Sequence, residues 1–241
     1  MHLNFKMSQA VFPLISLYIW KDPETRRNYT VGKLTRGKPF IFQYGGEAEK
    51  AEEAGWKPMG AFPTYQEYRS DTMFPVFCSR LPDKKRRDIG NILEKYGLTE
   101  YDEFELLRRS GARLPIDTYE FVAPISADDK EINCEFYITG IRHHSACHGT
   151  DCGARPDLKA GDLLILEAEP ENAYDPRAIR ILTGEQSFLG YVPRYYNEEI
   201  LARLHNGMSY SCEVAEVNAQ DCSTCIKVKL NMPKRDKERK P

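Results

Sequence analysis

A short polar segment in the second half of the sequence carries the side chains best suited to bind a ligand. The stretch "EPENAYDPRAIRIL", residues 169–182, sets Tyr174 between Asn172 and Asp175. A tyrosine ring offers a flat face on which a nucleic-acid base can stack, and an amide or carboxylate beside it can form hydrogen bonds. A single acid with no second acid or histidine at a fixed spacing does not make a catalytic centre. The segment therefore indicates binding rather than catalysis.

The same segment also has a purely structural interpretation, which the sequence leaves open. Asparagine and aspartate side chains accept hydrogen bonds from backbone N–H groups nearby and so fold Asx-type turns. Asn172 and Asp175 fit that role, and Tyr174 would then fill the end of the surrounding strand structure. The flanking runs "GDLLILEAE" and "RAIRIL" have the composition of β-strands. Both interpretations place the segment at a turn between two strands.

Composition restricts the class of protein. The chain has 241 residues, of which 41% are apolar and 29% are charged, as in ordinary globular proteins. No apolar run approaches the roughly 18 residues that a membrane span needs, and the first residues lack the cleavage site of a signal peptide. Seven cysteines, an odd number, argue against the disulfide framework of a secreted protein. We expect a cytoplasmic protein with no membrane partner.

Hydrophobic periodicity predicts a two-domain protein of class α+β. In the first half, the alternating runs "LISLYIW", "YTVGKLT" and "PFIFQY" predict an antiparallel meander. Two short helices follow, with Asp83 and Thr99 as their N-caps and Gly97 and Gly111 at their ends. In the second half, six short strands with one or two helices predict an OB-like β-barrel. The predicted segments are a first domain (1–122), a linker (123–132), a second domain (133–232) and a charged, disordered tail (233–241).

The charge of the second half limits how it could bind nucleic acid. Residues 131–232 carry 9 basic and 15 acidic side chains, a net charge of 9 − 15 = −6. Tight binding to duplex DNA of any sequence depends on a broad positive surface. This half lacks that composition, so a nucleic acid would have to bind in a local pocket.

The second half is similar to the HIRAN domain. The resemblance covers roughly residues 133–230 and rests on the turn "EPENAYDP", the strand "RAIRIL" and the strand "GYVPR" in that order. It implies an OB-like barrel with a pocket that takes the unpaired 3′ end of a DNA strand. The nucleic-acid-binding residues implied by the resemblance are Arg142, His143, Asn172, Tyr174, Asp175, Tyr191 and Arg194. In such a pocket a ring stacks on a base, an acid accepts a hydrogen bond from the terminal hydroxyl, and an arginine holds the last phosphate.

The cysteines of this half could bind one zinc ion. Cys222 and Cys225 have the Cys-x-x-Cys spacing of a zinc site that needs two further ligands. If the barrel resembles that of the HIRAN family, the loop with Cys147 and Cys152 lies on the same side and could complete the set, with His148 as an alternative to Cys152. The other interpretation is that these are reduced thiols without metal, in which case the protein has no cofactor.

The first half looks like the N-terminal subdomain of HipA-type toxin kinases. The resemblance spans about residues 12–122 and rests on "YTVGKLT", "PFIFQY", "FPVFCSRLP" and "YDEFELL". The phosphate-binding loop and catalytic aspartate of that family have no counterpart in residues 123–241, so kinase activity is not expected. The resemblance implies a docking subunit, for which Trp56 and Met59 are candidate partner contacts because aromatic side chains anchor interfaces. Burial of Trp56 in the core is the alternative.

The sequence therefore predicts a non-catalytic protein that recognises single-stranded DNA ends. Its first half would couple this recognition to a HipA-like kinase of a toxin–antitoxin or defence system. The alternative is a protein-interaction subunit, similar to an antitoxin, that binds and regulates such a kinase without binding DNA.

Overall fold

The chain folds into two compact units, Met1–Pro124 and Ile125–Pro241. The structure, a computed structural model, describes residues 14–141, 157–218 and 225–233. Antiparallel sheets dominate these residues and a few helices accompany them, so the predicted α+β class is confirmed. Within the described ranges no helix has the length and apolar character to cross a membrane. The predicted tail lies outside the described residues from position 234 onward.

One five-stranded antiparallel sheet forms the framework of the first unit. Its strands are β1 (Ile15–Lys21), β2 (Asn28–Thr35), β3 (Phe40–Tyr44), β4 (Tyr68–Ser70) and β5 (Tyr119–Val122). Their order across the sheet is β4–β3–β2–β1–β5, so the first three strands form the predicted meander. Alternation along β1 buries Tyr18 and Trp20, which pack into a core rich in aromatic rings.

Four short helices accompany this sheet: α1 (Ala48–Glu53), α2 (Pro75–Cys78), α3 (Ile89–Lys95) and α4 (Glu103–Ser110). The cap of α4 is Asp102 rather than the predicted Thr99, since Oδ1 of Asp102 accepts a hydrogen bond from Glu105 N at 3.0 Å. The predicted stop at Gly111 is correct, with a left-handed φ of 75° that a residue with a Cβ adopts only with strain.

Trp56 and Met59, the two candidate partner contacts, both contact core residues of the first unit. Trp56 is only 2% exposed, and its ring meets that of Tyr44 edge-on at 5.3 Å. Met59 is half-buried; its backbone N–H donates to the Tyr44 hydroxyl at 2.8 Å, and its sulfur accepts from the Tyr18 hydroxyl at 3.3 Å. The role of Trp56 as an exposed anchor is therefore corrected, because its ring is a core element of the first unit.

Within its described residues, the second unit has two three-stranded antiparallel sheets and one long helix. Its strands are β6 (Ile132–Tyr137), β7 (Leu164–Ala168), β8 (Ile179–Thr183), β9 (Phe188–Tyr191), β10 (Ser211–Val217) and β11 (Ile226–Met232), and its helix is α5 (Arg194–His205). The sheets have the orders β10–β11–β6 and β7–β8–β9. Two single bridges, Thr139 with Tyr191 and Leu163 with Glu213, connect them. The structure thus has the six predicted strands, arranged as two bridged sheets.

Helix α5 also fixes the segment where the second unit begins. Arg203 lies on its buried face, and Nη2 donates to the backbone carbonyl oxygens of Asp129 at 2.8 Å and Ser126 at 3.4 Å. A buried guanidinium is tolerated because such bonds replace its hydration. Part of the predicted linker is therefore held against α5 within the second unit.

Candidate functional site

The turn between β7 and β8 is fixed by the side chain of Asn172. Oδ1 of this residue accepts hydrogen bonds from the backbone N–H groups of Tyr174 at 3.0 Å and Asp175 at 3.1 Å. At the base of the turn, Glu169 N donates to the carbonyl oxygen of Ala178 at 2.9 Å. This is the Asx-type turn that the sequence indicated, and it gives the backbone a defined shape in a segment without regular secondary structure.

Tyr174 occupies the tip of this turn with its side chain in solvent. The residue is 86% exposed, whereas most tyrosines of the protein are at least half-buried. The interpretation in which its ring fills the end of the strand structure is therefore wrong. An isolated ring on a rigid turn is instead a surface on which a flat ligand can stack.

Asp175, the next residue, points into the protein. It is 8% exposed, and Oδ1 accepts from the backbone N–H of Arg177 at 3.0 Å. Oδ2 accepts from Nδ2 of Asn197 at 3.1 Å and lies 3.4 Å from Nε of Arg194. The carboxylate therefore joins the turn to the first residues of α5, because both Arg194 and Asn197 belong to that helix.

Tyr191, a predicted site residue at the end of β9, contacts Asn172 through its hydroxyl. Nδ2 of Asn172 donates to Oε2 of Glu169 at 2.6 Å and to the Tyr191 hydroxyl at 3.3 Å. Burial and the neighbouring Glu169 carboxylate raise the pKa of the Tyr191 hydroxyl, so it is neutral at neutral pH. Four predicted site residues, Asn172, Asp175, Tyr191 and Arg194, are thus brought together around one turn.

The chain approaches this cluster along residues 139–141. Thr139 and Tyr191 exchange two backbone hydrogen bonds, at 2.9 and 2.8 Å. Gly140 has a φ of 80°, and a Cβ there would lie 3.3 Å from the Tyr191 ring, which makes glycine the fitting residue. The predicted contacts Arg142 and His143 follow directly in sequence and lie outside the described residues.

The zinc prediction concerns mostly residues that the structure does not describe. Cys147, Cys152 and Cys222 fall in that category, whereas Cys225 is described and buried. Within the described ranges, no group of three or more potential metal ligands is close enough to hold an ion. The zinc site stays a prediction.

Several residues of the cluster were not predicted from the sequence. Asn197 is one of them, and its partner Asp175 lies 22 residues earlier in the chain. Arg177 reaches α5 as well, since Nη1 pairs with Oε2 of Glu198 at 2.8 Å. Arg180 lies over the ring of Phe188 at 4.9 Å and pairs with Glu167 at 2.9 Å. These contacts cross between elements, so no local pattern indicates them.

The electrostatic character of the site is mixed. The guanidinium groups of Arg177, Arg180 and Arg194 each lie within ion-pair distance of a carboxylate. Such pairs reduce the local positive field, because each cation already faces an anion. The described residues therefore provide directed contacts and no broad positive surface, in agreement with the net charge of this half.

Comparison with known proteins identifies this half of the chain. The family model of the HIRAN domain matches residues 132–232. These residues form a HIRAN domain. No curated protein matches the sequence significantly.

Two solved structures are similar to this chain. The HIRAN domain of human HLTF is 14% identical, with a TM-score of 0.34, and the match covers 44% of this chain and 77% of that one. A protein from Lactobacillus plantarum is 19% identical, with a TM-score of 0.32, and the match covers 42% and 96%. The predicted HipA-like character of residues 12–122 receives no support from these comparisons.

Proposed function

We propose that the HIRAN domain of this protein binds the 3′ end of a single DNA strand and catalyses no reaction. The observation that carries the proposal is the exposed ring of Tyr174 on a turn fixed by hydrogen bonds. Stacking of a base on an aromatic side chain contributes about 1–3 kcal/mol in proteins that bind single strands. Because the turn is already ordered, little conformational entropy is lost when a base stacks there.

Phosphate contacts would come from the start of α5 and from the loop after β6. Arg194 is the described candidate, and Arg142 with His143 are the predicted ones. An arginine binds phosphate oxygens through two parallel N–H groups. Since the second half is net acidic, we expect contact with only a few nucleotides and a shallow dependence on salt.

The proposed fold of the ligand-bound domain is the OB-like barrel predicted from the sequence. The two bridges between its three-stranded sheets support this proposal. The turn between β7 and β8 would then lie at the barrel end that receives the strand terminus. We also propose that the protein is cytoplasmic.

The test is fluorescence anisotropy with short labelled oligonucleotides. Wild type should bind a free single-stranded 3′ end better than the same strand with a 3′ phosphate, and better than a blunt duplex. The variant Tyr174→Ala removes the proposed stacking ring. Its matched control is Tyr65→Ala, which removes a surface tyrosine of the first unit. Equal affinity for all three ligands would reject recognition of the 3′ end.

A second function, docking of a HipA-like kinase in a toxin–antitoxin or defence system, rests on the sequence of residues 12–122 alone. The burial of Trp56 removes one of its two predicted contacts and leaves Met59 only half-exposed. The test is complex formation between residues 1–124 and a HipA-like kinase encoded beside this protein, measured by size-exclusion chromatography. A complex that forms only with residues 125–241 would reject docking through the first unit.

A further inference from the structure

Asn197 combines an unfavourable position with a specific contact. It lies in the first turn and a half of α5, on the buried face that also carries Tyr196, Ile200 and Arg203, and only 3% of it is exposed. Within a helix, asparagine is less favourable than leucine, because its side chain competes for backbone hydrogen bonds. A buried helix position of this kind is normally apolar.

The amide of Asn197 is satisfied on one side only. Nδ2 donates to Oδ2 of Asp175 at 3.1 Å, whereas Oδ1 has no hydrogen-bond partner among the described residues. Turning the amide over would set its oxygen against the carboxylate of Asp175, so the observed orientation is the favourable one. A buried oxygen without a partner lowers stability, since it has lost its hydration.

The contact with Asp175 reaches the proposed DNA-binding residues. The amide of Asn197 binds one carboxylate oxygen, and the backbone N–H of Arg177 binds the other. Together these bonds determine the orientation of the carboxylate toward Arg194, whose Nε lies 3.4 Å from Oδ2. Tyr174 directly precedes Asp175 in the chain. The position of the ring and that of the guanidinium therefore depend on the same carboxylate.

We propose that Asn197 is a positioning residue of the DNA-end site, which holds Asp175 and through it the Tyr174 turn, at a cost in stability. This rests on the proposed function of the HIRAN domain. The neighbours of the carboxylate that carry charge are Arg177 in its own turn and Arg194 on α5, and Glu198 faces Arg177. Since these charges remain when Asn197 is replaced, a change in binding reports the lost amide contact.

The test compares melting temperature and affinity for a short single-stranded oligonucleotide in the variant Asn197→Leu. Leucine has nearly the same size, favours the helix and carries no polar atom of its own. Oδ2 of Asp175 loses the amide donor and keeps Nε of Arg194 at 3.4 Å. We expect an unchanged or higher melting temperature and a roughly three- to thirtyfold weaker affinity, which lies within the range of coupling between residues in contact. A merely structural residue would change stability and affinity together, in the same direction.

Two further variants keep the result interpretable. Asn206→Ala is the matched control, because that asparagine is the exposed C-cap of the same helix and its side-chain amide donates to Ala202 O at 2.8 Å. We expect it to bind like wild type. Asn197→Ala replaces leucine if Asn197→Leu does not fold, and it should also weaken binding more than it lowers stability.

A double-mutant cycle with Tyr174→Ala separates positioning from direct contact. If Asn197 acts through the Tyr174 turn, Asn197→Leu should have little additional effect on affinity once the ring is absent. Additive effects of the two substitutions would overturn the proposal while leaving the DNA-binding function intact.

Hydrogen exchange in the ligand-free protein gives a readout that does not depend on DNA. The amides of Tyr174, Asp175 and Arg177 donate to the side chains that form the turn. They should exchange faster in Asn197→Leu than in wild type, because the turn opens more often. Unchanged exchange would overturn the positioning role even if wild type bound no oligonucleotide, an outcome that would separately reject the proposed function.

Discussion

The backbone N–H of Tyr174 donates a hydrogen bond to Oδ1 of Asn172 at 3.0 Å, and the ring that follows it is exposed to solvent. The two residues therefore have different roles in the turn. Asn172 fixes the backbone and contributes to stability, whereas the side chain of Tyr174 contributes almost nothing to the folded state. Substitutions at the two positions should have separable effects.

Removing the ring of Tyr174 should reduce binding without reducing stability. For Tyr174→Ala we expect a loss of about 1–3 kcal/mol of binding free energy, roughly ten- to a hundredfold in affinity, because one stacked base loses its platform. The melting temperature should stay within experimental error, since the ring is 86% exposed. Anisotropy titration and thermal melting measure the two quantities. A variant that binds like wild type would contradict stacking at this residue.

Replacing Asn172 should reduce both the affinity for DNA and the stability of the fold. Asn172→Ala removes the acceptor of two backbone N–H groups and the donor to Glu169. We expect the free energy of unfolding to fall by about 1–2 kcal/mol, since each lost intramolecular hydrogen bond contributes on the order of 1 kcal/mol. Affinity should fall too, because the ring is no longer held. Chemical denaturation is the measurement, and a midpoint equal to that of wild type would speak against the turn as a stabilising element.

The sequence predicted the elements whose pattern is local. Over part of β2 and β3 every second side chain is buried, as at Tyr29 and Val31 or at Phe42 and Tyr44, and a period of two is visible without any tertiary information. Helix α3 shows the limit of such patterns. Asp83 was predicted to cap it, but the carboxylate accepts from Lys85 N at 2.8 Å in a local turn, and the helix starts only at Ile89. A capping residue and a turn residue have the same composition, so the sequence could not distinguish them.

The candidate site was predictable only where it lies in one segment. Asn172, Tyr174 and Asp175 are close in sequence. Their residue types predicted a polar turn in which the ring of Tyr174 either binds a ligand or fills the end of the strand structure. The contact of Asp175 with Asn197 depends on how α5 packs under the turn, which no local pattern encodes. The burial of Trp56 against Tyr44 is likewise a consequence of tertiary packing.

The buried thiol of Cys212 should make the protein less stable at alkaline pH. Burial raises its pKa to about 12, whereas an unfolded cysteine has a pKa of about 8.5. The unfolded chain therefore loses this proton first, so the stabilisation is complete below about pH 8.5 and declines as the pH rises toward 12. At pH 10 the loss from this one thiol should be about 2 kcal/mol.

The variant Cys212→Ala isolates that contribution from other groups that titrate at high pH. At pH 7 it should be less stable than wild type, because it leaves a small cavity in the core. Between pH 7 and pH 10 the wild type should lose about 2 kcal/mol more unfolding free energy than the variant. Urea denaturation at both pH values measures it, and a difference that stays constant would show that folding does not raise the pKa of this thiol.

Arg194 should account for a phosphate contact that Arg180 does not make. The guanidinium of Arg194 lies beside Asp175 at the base of the Tyr174 turn, whereas that of Arg180 pairs with Glu167 and covers the Phe188 ring. For Arg194→Gln we expect weaker binding, and the slope of log affinity against log salt should become shallower by about 0.7, as for one phosphate of a single strand. Arg180→Gln, the matched control, should leave that slope unchanged. Anisotropy titrations over a series of salt concentrations measure the slope for each variant. Equal changes in slope for Arg194→Gln and Arg180→Gln would assign the effect to general surface charge rather than to a phosphate contact at the start of α5.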